Sequence, residues 1–259
     1  MAIIAPPSSR PARVLVLGGT SEARQLAARL AREPRIDATM SLAGRTAAPL
    51  ANELPTRVGG FGGVDGLMRY MTNERIERVL DATHPFAERI SANARAACRA
   101  LGVPLAVFSR PPWRAHAGDH WIDVADNESA ATELGEGMMR RVFLTIGRQG
   151  VGAFRAAAQH DYLIRCIEPP DPRDLPPRSA VVLARGPFEI EDEIALMREH
   201  GIDVVVTKNS GGVLTYAKIA AARALRLQVI VIARPAHDAV LPLADLDAAM
   251  AFLGASAAP

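Results

Sequence analysis

Short apolar runs alternate with longer segments of helical period along most of the chain. The runs are rich in Val, Ile and Leu and nearly continuous, as in parallel strands that are buried on both faces. This alternation predicts an α/β protein. The eleven candidate strands span residues 13–18, 37–43, 56–61, 78–83, 104–109, 121–124, 142–146, 162–167, 180–184, 203–207 and 228–233.

Eleven strands do not suit an eight-stranded (β/α) barrel, whereas two doubly wound parallel sheets of five or six strands each accommodate them. We therefore predict two Rossmann-like domains, residues 1–138 and 139–259, with the boundary just after Gly135-Glu-Gly137. The segments between the strands carry the helical period. The candidate helices span residues 20–32, 64–75, 86–101, 128–140, 150–159, 189–200, 213–225 and 243–253.

Composition narrows the class of protein. With 49% hydrophobic and 22% charged residues, the chain has the composition of a folded globular protein. Its net charge of +2 is too small to predict nucleic-acid binding, and no apolar run approaches the roughly 18 residues that cross a bilayer. Cys98 and Cys166 are too few for a disulfide scaffold and fit a reducing compartment. We therefore expect a cytoplasmic protein that binds neither nucleic acid nor a membrane. Its oligomeric state is left open, with a monomer among the options.

Polar and glycine-rich segments follow the predicted strands. In open α/β sheets, ligands bind beyond the carboxyl ends of the strands. If the two sheets present these edges to each other, the active site lies in the cleft between the domains and takes a large shared substrate. The segments are 18–22, 43–45, 83–85, 109–110, 147–150, 185–187 and 207–212.

The turn after the first strand resembles a nucleotide-binding loop. Gly18-Gly-Thr-Ser-Glu-Ala23 opens a helix, whose N-terminus offers N–H groups to a pyrophosphate. The match to the dinucleotide fingerprint is partial, because Thr20 stands at the second glycine position, where its hydroxyl caps the helix or donates to phosphate. The alternative is a tight turn without a ligand. The cofactor-binding residues predicted here are Gly18, Gly19, Thr20, Ser21 and Glu22.

The end of the second strand indicates which nucleotide would bind. NAD sites place an acidic residue there, whereas NADP sites often supply an arginine. Asp37 lies at the wrong end of this strand, and the carboxyl end reads Ala43-Gly-Arg-Thr46. Arg45, assisted by Thr46 or Ser41, could clamp a 2′-phosphate by charge-assisted hydrogen bonds; otherwise it is an exposed loop arginine. The pattern favours NADP(H), with Ala43, Gly44, Arg45 and Thr46 as further cofactor-binding residues.

Asp81-Ala-Thr-His-Pro-Phe-Ala87 ends the fourth strand. His84 titrates near neutrality, so it is a candidate ligand contact and proton donor, although a lone histidine is more often structural. Thr83 is predicted to join the cofactor site. Asp81 lies inside the strand, where it could orient a neighbouring group or take part in chemistry.

The second half supplies the candidates for an anionic substrate. Lys208 could bind a carboxylate, donate a proton or cap a helix. No Tyr-x-x-x-Lys pair of the short-chain dehydrogenases and no P-loop is present, and no metal site is predicted, because His116 and His120 lack further ligands. The predicted substrate-binding residues are His84, Gly147, Arg148, Gln149, Arg185, Lys208, Asn209, Ser210 and Gly211.

Four ordered motifs resemble the precorrin-6A reductase family, which acts in cobalamin biosynthesis. The resemblance spans residues 13–236 and rests on Leu17-Gly-Gly-Thr-Ser-Glu-Ala-Arg24, Asp81-Ala-Thr-His-Pro-Phe-Ala87, Phe143-Leu-Thr-Ile-Gly-Arg148 and Val206-Thr-Lys-Asn-Ser-Gly-Gly212. It implies an NADPH-dependent oxidoreductase that reduces the macrocycle precorrin-6A to precorrin-6B (dihydro-precorrin-6A). Relatives in the anaerobic pathway use a cobalt-containing substrate, and both substrates stay open here.

Under that resemblance, the N-terminal domain would bind NADP(H), and cationic strand ends of the C-terminal domain would pair with carboxylates of the tetrapyrrole. Lys208, His84 or water would supply the proton, and Lys208 and His84 are the predicted catalytic residues. Two other functions fit the fold: a nucleotide-sugar transferase, and a non-catalytic NADP(H)-sensing module.

Overall fold

The computed structural model describes residues 10–44, 51–235 and 240–254. Their chain forms two compact units. The first holds the described residues up to Arg110 together with 240–254, and the second runs from Pro111 to Pro235. Each unit is built on one six-stranded sheet in which every neighbouring pair of strands is parallel.

Twelve strands and seven α-helices lie in the described part of the chain. In order they are β1 Ala12–Leu17, α1 Ser21–Leu30, β2 Ile36–Leu42, β3 Thr56–Val58, α2 Gly63–Asn73, β4 Arg78–Asp81, α3 Glu88–Leu101, β5 Leu105–Phe108, β6 His120–Val124, α4 Asn127–Glu133, β7 Arg141–Thr145, β8 Asp161–Cys166, β9 Ser179–Leu183, α5 Ile190–Glu199, β10 Val204–Lys208, α6 Ala217–Ala224, β11 Gln228–Ile232, β12 Leu241–Leu243 and α7 Leu246–Leu253. Two 3-10 helices, Arg148–Ala157 and Pro172–Asp174, lie in the second unit.

The strand order confirms the doubly wound α/β prediction. The first sheet has the order β12-β5-β4-β1-β2-β3 and the second β6-β11-β10-β7-β8-β9. Both follow the Rossmann pattern, in which the order reverses once within the sheet. The reversals lie between β1 and β4 and between β7 and β10, so these are the points at which ligands are expected.

The division of the chain differs from the predicted boundary at 138/139. β6 follows the first five strands in sequence but pairs with β11 of the second sheet, with His120 opposite Gln228. The sixth strand of the first sheet is instead β12, which returns from the end of the chain to pair with β5. The chain therefore passes between units at 110/111 and again at 235/236. Composition could not mark these crossings, because they depend on which strands pair through space.

Strand β1 shows why the apolar runs are continuous. Val14 and Val16 belong to one buried cluster with residues of α1 and α7, while Leu15 and Leu17 belong to another with residues of α2 and α3. Side chains alternate between the faces of a strand, so a sheet covered by helices on both faces buries every position. In the second unit, Phe143 is fully buried in the cluster that packs against α5 and α6.

Three elements differ from the sequence prediction. The helix expected over 128–140 ends at Glu133, ahead of the glycines at 135 and 137. The segment 150–159 falls mostly within the longer 3-10 helix. Strand β12 was not predicted, because its three residues include Pro242 and carry too little pattern to separate them from the helix that follows.

Candidate functional site

The turn between β1 and α1 lies at the reversal point of the first sheet. A Cβ on Gly18 would collide with the Sδ of Met40, so a larger residue there would have to displace the buried Met40 side chain of β2. Gly19 has φ +122°, and no atom lies within 4 Å of the place where its Cβ would stand. The turn thus combines a backbone that only glycine adopts readily with open space beside it, which is the geometry of a cradle for a ligand.

Thr20 is the N-cap of α1. Its hydroxyl oxygen accepts the N–H of Ala23 at 3.1 Å, and its hydroxyl hydrogen goes to the carbonyl of Ala82 at 2.9 Å. The sequence allowed the Thr20 hydroxyl either to cap the helix or to donate to phosphate, and the structure shows it capping the helix. The first-turn N–H groups of Ser21 and Glu22 have no partner among the described residues, so the main chain is the part of this turn that can receive an anion.

An ion pair stands beside this helix start. The Glu22 carboxylate pairs with the Arg110 guanidinium at an N···O distance of 3.2 Å, and both side chains are largely buried. Ser21 also donates to the Glu22 carboxylate at 3.0 Å. A carboxylate at the first turn would oppose an incoming phosphate, and Arg110 offsets that charge. Arg110 follows β5, in a strand end that the sequence predicted to face a ligand. Its pairing with Glu22 was not predicted.

The neighbouring strand β3 brings a cation, Arg57, to the carboxyl end of β2, and the sequence did not predict it. Gly44 has φ +71°, while Arg45 and Thr46 lie outside the described residues. Ser41 is buried, and its hydroxyl accepts a hydrogen bond of 2.9 Å from Arg57 on the neighbouring strand β3. The sequence feature that could have indicated this cation is the position of Arg57 just before the Gly-Gly-Phe-Gly-Gly run at 59–63. The sequence analysis placed residues 56–61 in a strand and gave them no further role.

Beyond β4, a buried carboxylate organises the next turn. Asp81 is 3% exposed and accepts both the N–H of Thr83 at 3.0 Å and its hydroxyl at 2.7 Å. Asp81 therefore orients Thr83, one of the two roles that its sequence position left open. His84 accepts the N–H of Phe86 on Nδ1 at 3.2 Å, a bond that holds its ring in this turn.

A glycine turn of the second unit follows β7, at the reversal point of its sheet. Gly147 has φ +78° with open space beside its Cβ position, and the 3-10 helix begins at Arg148. The Arg148 guanidinium lies 3.3 Å from the carboxylate of Glu168, which follows β8. Gln149 lies next in the same turn. A substrate carboxylate would have to share Arg148 with Glu168.

The segment 208–212 after β10 is held by two side chains that the sequence analysis did not assign. The Asn209 amide accepts the N–H of Trp113 at 2.8 Å and donates to the carbonyl of Trp113 at 3.1 Å. The Trp113 indole donates to the carbonyl of Gly212 at 2.7 Å. Arg234, after β11, donates to the carbonyls of Asn209 at 2.9 Å and Ser210 at 3.0 Å.

These contacts change what the predicted residues of this segment can do. Asn209 is 8% exposed, its amide is bonded to Trp113 and its main-chain N–H donates to the carbonyl of Ile232 at 2.9 Å, so these groups hold the segment in place. Gly211 has φ +69°, and a Cβ there would collide with Arg234 and the carbonyl of Pro111. Lys208 is the last residue of β10 and is partly exposed at the edge that Trp113 and Arg234 hold in place.

Arg185 follows β9 in a turn that rests on a buried ion pair. Arg165 and Glu193 are 8% and 2% exposed and are joined by two hydrogen bonds, one of them 3.1 Å long. The Arg165 guanidinium also stacks on Phe188, 3.8 Å from the ring centroid. Phe188 lies three residues beyond Arg185, so this stack anchors the turn from which Arg185 extends.

Neither a metal site nor a membrane-spanning helix is found among the described residues. No set of three or more His, Cys, Asp or Glu side chains is arranged to hold a metal ion in the parts of the chain that the structure covers. No helix in those parts has both the length and the apolar character needed to cross a membrane.

Comparison with known proteins assigns the family. The family model described as precorrin-6x reductase CbiJ/CobK matches residues 13–254. This chain belongs to the precorrin-6x reductase family. It is therefore an oxidoreductase, and its two sheets are those of a reductase built from two Rossmann-like units.

Individual members of the precorrin-6x reductase family agree over most of the chain. The precorrin-6A reductase of Rhodococcus erythropolis is 50% identical over 243 residues, which cover 93% of this chain and 97% of the relative. The solved structure of a CobK precorrin-6A reductase superposes with a TM-score of 0.88 at 49% identity, covering 95% of this chain and 98% of the other. The cobalt-precorrin-6A reductase of Priestia megaterium is 29% identical and covers 86% of this chain and 90% of its own.

Proposed function

We propose that this chain reduces precorrin-6A to precorrin-6B (dihydro-precorrin-6A) with NADPH, in cobalamin biosynthesis. The observation that favours this substrate is a difference in sequence identity to two kinds of relative. A relative named for precorrin-6A is 50% identical, whereas one named for cobalt-precorrin-6A is 29% identical. This difference favours the cobalt-free macrocycle.

The first unit is proposed to bind the cofactor. NADPH, when bound, supplies the hydride, with its electron pair, to one carbon of the macrocycle. The open cradle at Gly19 and the unpartnered N–H groups of Ser21 and Glu22 fit a pyrophosphate. Gly18, Thr20 and Thr83 would shape this edge. Arg45 and Thr46, with Ala43 and Gly44 before them, are proposed to receive the 2′-phosphate.

The second unit is proposed to bind the macrocycle by its carboxylates. Arg148, Arg185 and Lys208 each follow or end a strand at the same edge of the second sheet. The main chain at Gly147, Ser210 and Gly211, the Gln149 side chain and His84 would complete the substrate contacts. Charge-assisted hydrogen bonds to carboxylates fix orientation as well as affinity, so much of the catalysis would be positioning.

Reduction of the conjugated system also needs a proton, which balances the hydride. The ammonium of Lys208 and the protonated ring of His84 are the proposed donors, and water is the remaining source. Both groups lie beyond carboxyl ends of strands at an order-reversal point, which is where Rossmann-type sheets meet their ligands. We propose a cytoplasmic location for the protein, because its two cysteines are buried thiols and fit a reducing compartment.

The test is an assay of the full chain with NADPH and precorrin-6A. We expect NADPH absorbance to fall only when the tetrapyrrole is present, with one NADPH consumed per macrocycle reduced. Cobalt-precorrin-6A in a parallel assay is expected to react more slowly. Faster reaction with the cobalt compound would reverse the substrate assignment. NADPH binding with no turnover of either compound would favour the non-catalytic sensing module.

A further inference from the structure

Arg57 holds a guanidinium at the carboxyl-end edge of the first sheet. In the register of β2 and β3, Arg57 lies opposite Ser41, which is the next-to-last residue of β2. Its Nη1 donates to the hydroxyl of Ser41 and to the carbonyl of Gly59, each at 2.9 Å. Its Nη2 donates to the carbonyl of Gly60 at 3.2 Å.

These bonds leave a specific part of the guanidinium available. An arginine has five N–H donors, and the three bonds use both hydrogens of Nη1 and one of Nη2. The Nε–H and one Nη2–H have no acceptor among the described residues, and no carboxylate in that part of the chain lies within 4.0 Å of Arg57. Donors on Nε and Nη2 form the fork that binds two oxygens of one phosphate.

The guanidinium is also fixed in place before any ligand arrives. Its Cζ lies 3.8 Å from the ring centroid of Phe61 and 5.3 Å from that of Tyr70. The loop beside it is open, because a Cβ at Gly59, Gly60 or Gly62 would meet no atom within 4 Å. A stacked cation loses little rotamer freedom on binding, and an open loop leaves room for a bulky anion.

Resting on the proposed function, we propose that Arg57 selects NADPH over NADH by binding the 2′-phosphate of its adenosine ribose. In Rossmann-type sheets this ribose lies at the end of the second strand. Ser41 on that strand holds Arg57 there by the 2.9 Å bond. Arg45, which the sequence alone assigns to the same 2′-phosphate, would be a second cation acting on that group.

The experiment compares two probes that differ only in the 2′-phosphate. The full chain is titrated with adenosine 2′,5′-bisphosphate and with AMP by calorimetry, as wild type, Arg57→Gln and Arg32→Gln. Arg32 is an exposed arginine just after α1, at the opposite end of the sheet, so it controls for loss of charge. For Arg57→Gln we expect the Kd of the bisphosphate to rise about 10- to 100-fold and that of AMP to change less than about twofold. Arg32→Gln should alter neither Kd.

Arg57→Lys covers the possibility that the glutamine variant fails to fold. It keeps the charge but not the fork, so it should weaken bisphosphate binding about 3- to 10-fold and leave AMP unchanged. Equal weakening of both probes, or of neither, in the folded variants would overturn the role of Arg57 while leaving the reductase function intact. Equal wild-type affinity for the two probes would instead contradict the NADPH preference itself, and the role of Arg57 with it.

Discussion

Lys208 is the residue on which the proposed chemistry of the second unit most depends. It ends β10 next to a segment that Trp113 and Arg234 hold by hydrogen bonds, so its backbone position does not depend on the lysine side chain. Replacing it should therefore change function without changing the fold.

We expect Lys208→Ala to lower kcat/KM at least about tenfold while the melting temperature stays unchanged. Lys208→Arg separates the two proposed roles. Arginine keeps the charge but does not release a proton near neutral pH, so it should restore KM if Lys208 binds a carboxylate and leave kcat low if Lys208 is the donor. Steady-state kinetics of both variants make the measurement. Unchanged kinetics in Lys208→Ala would remove the residue from the site.

Gly211 tests whether the segment 208–212 needs its close packing. A Cβ there would press against the backbone of Pro111 at a φ of +69°, so Gly211→Ala should cost about 1–3 kcal/mol of unfolding free energy and lower turnover. Gly137→Ala is the matched control, since a Cβ there meets no atom within 4 Å. Its unfolding free energy should stay within about 0.5 kcal/mol of wild type. Equal losses in urea denaturation would show that the packing at Gly211 is not special.

At the scale of elements, β8 and α5 are joined by the buried pair of Arg165 and Glu193. Arg165 lies between the rings of Phe143 and Phe188, at 4.8 and 3.8 Å from their centroids. Removing one partner of such a pair leaves the other charge buried without compensation, which costs more than the pair contributes when intact.

We therefore expect Glu193→Gln to lower the free energy of unfolding by about 3–5 kcal/mol. Asp161→Asn is the comparison. It removes a carboxylate that pairs with Arg178 at 2.7 Å, but both side chains are exposed, so the loss should be about 0–1 kcal/mol. Denaturant titration of the two variants measures both values, and similar losses would contradict the assignment of Arg165 as a buried cation.

At the scale of the whole molecule, each unit contains one buried cysteine. Burial raises the pKa of the Cys98 thiol to about 12, with a further contribution from Asp81, and burial also raises the pKa of Cys166 against the opposing effect of Arg148. Because the thiolate is the reactive form, neither cysteine should be alkylated at pH 8 in the native protein. Peptide mapping after labelling across a denaturant series should show each site reacting only as its own unit unfolds. Rapid labelling of native Cys98 would contradict its burial.

The return of the chain to the first sheet gives a second prediction at this scale. β12 and α7 contribute Leu243, Ala249, Met250 and Leu253 to the core that also contains Val14 and Leu26. A chain that stops after Pro235 should lose this packing and expose Cys98 to alkylation, while Cys166 stays protected in native buffer. Protection of both cysteines in the shortened chain would show that the first unit folds without its sixth strand.

The sequence by itself determined the alternation of strands and helices, the doubly wound class and the strand ends where the turns at Gly18 and Lys208 stand. Those features are local, because periodicity and glycine requirements act within a few residues. Its family motifs also led to the reductase family. Trp113 and Arg234 were not predicted, because each holds a turn that is distant in sequence. Arg57 was not predicted, because its bond to Ser41 depends on the pairing of β2 with β3.

Only the tertiary structure decided which sheet each strand joins. β6 and β12 are short strands, and nothing within them specifies a partner, so the boundary predicted at 138/139 missed both crossings. It also decided which polar side chains are already engaged: the Thr20 hydroxyl caps α1, Asn209 binds Trp113, and Asp81 orients Thr83. The physical reason is that strand pairing and side-chain hydrogen bonds join residues far apart in the chain, whose proximity only folding creates.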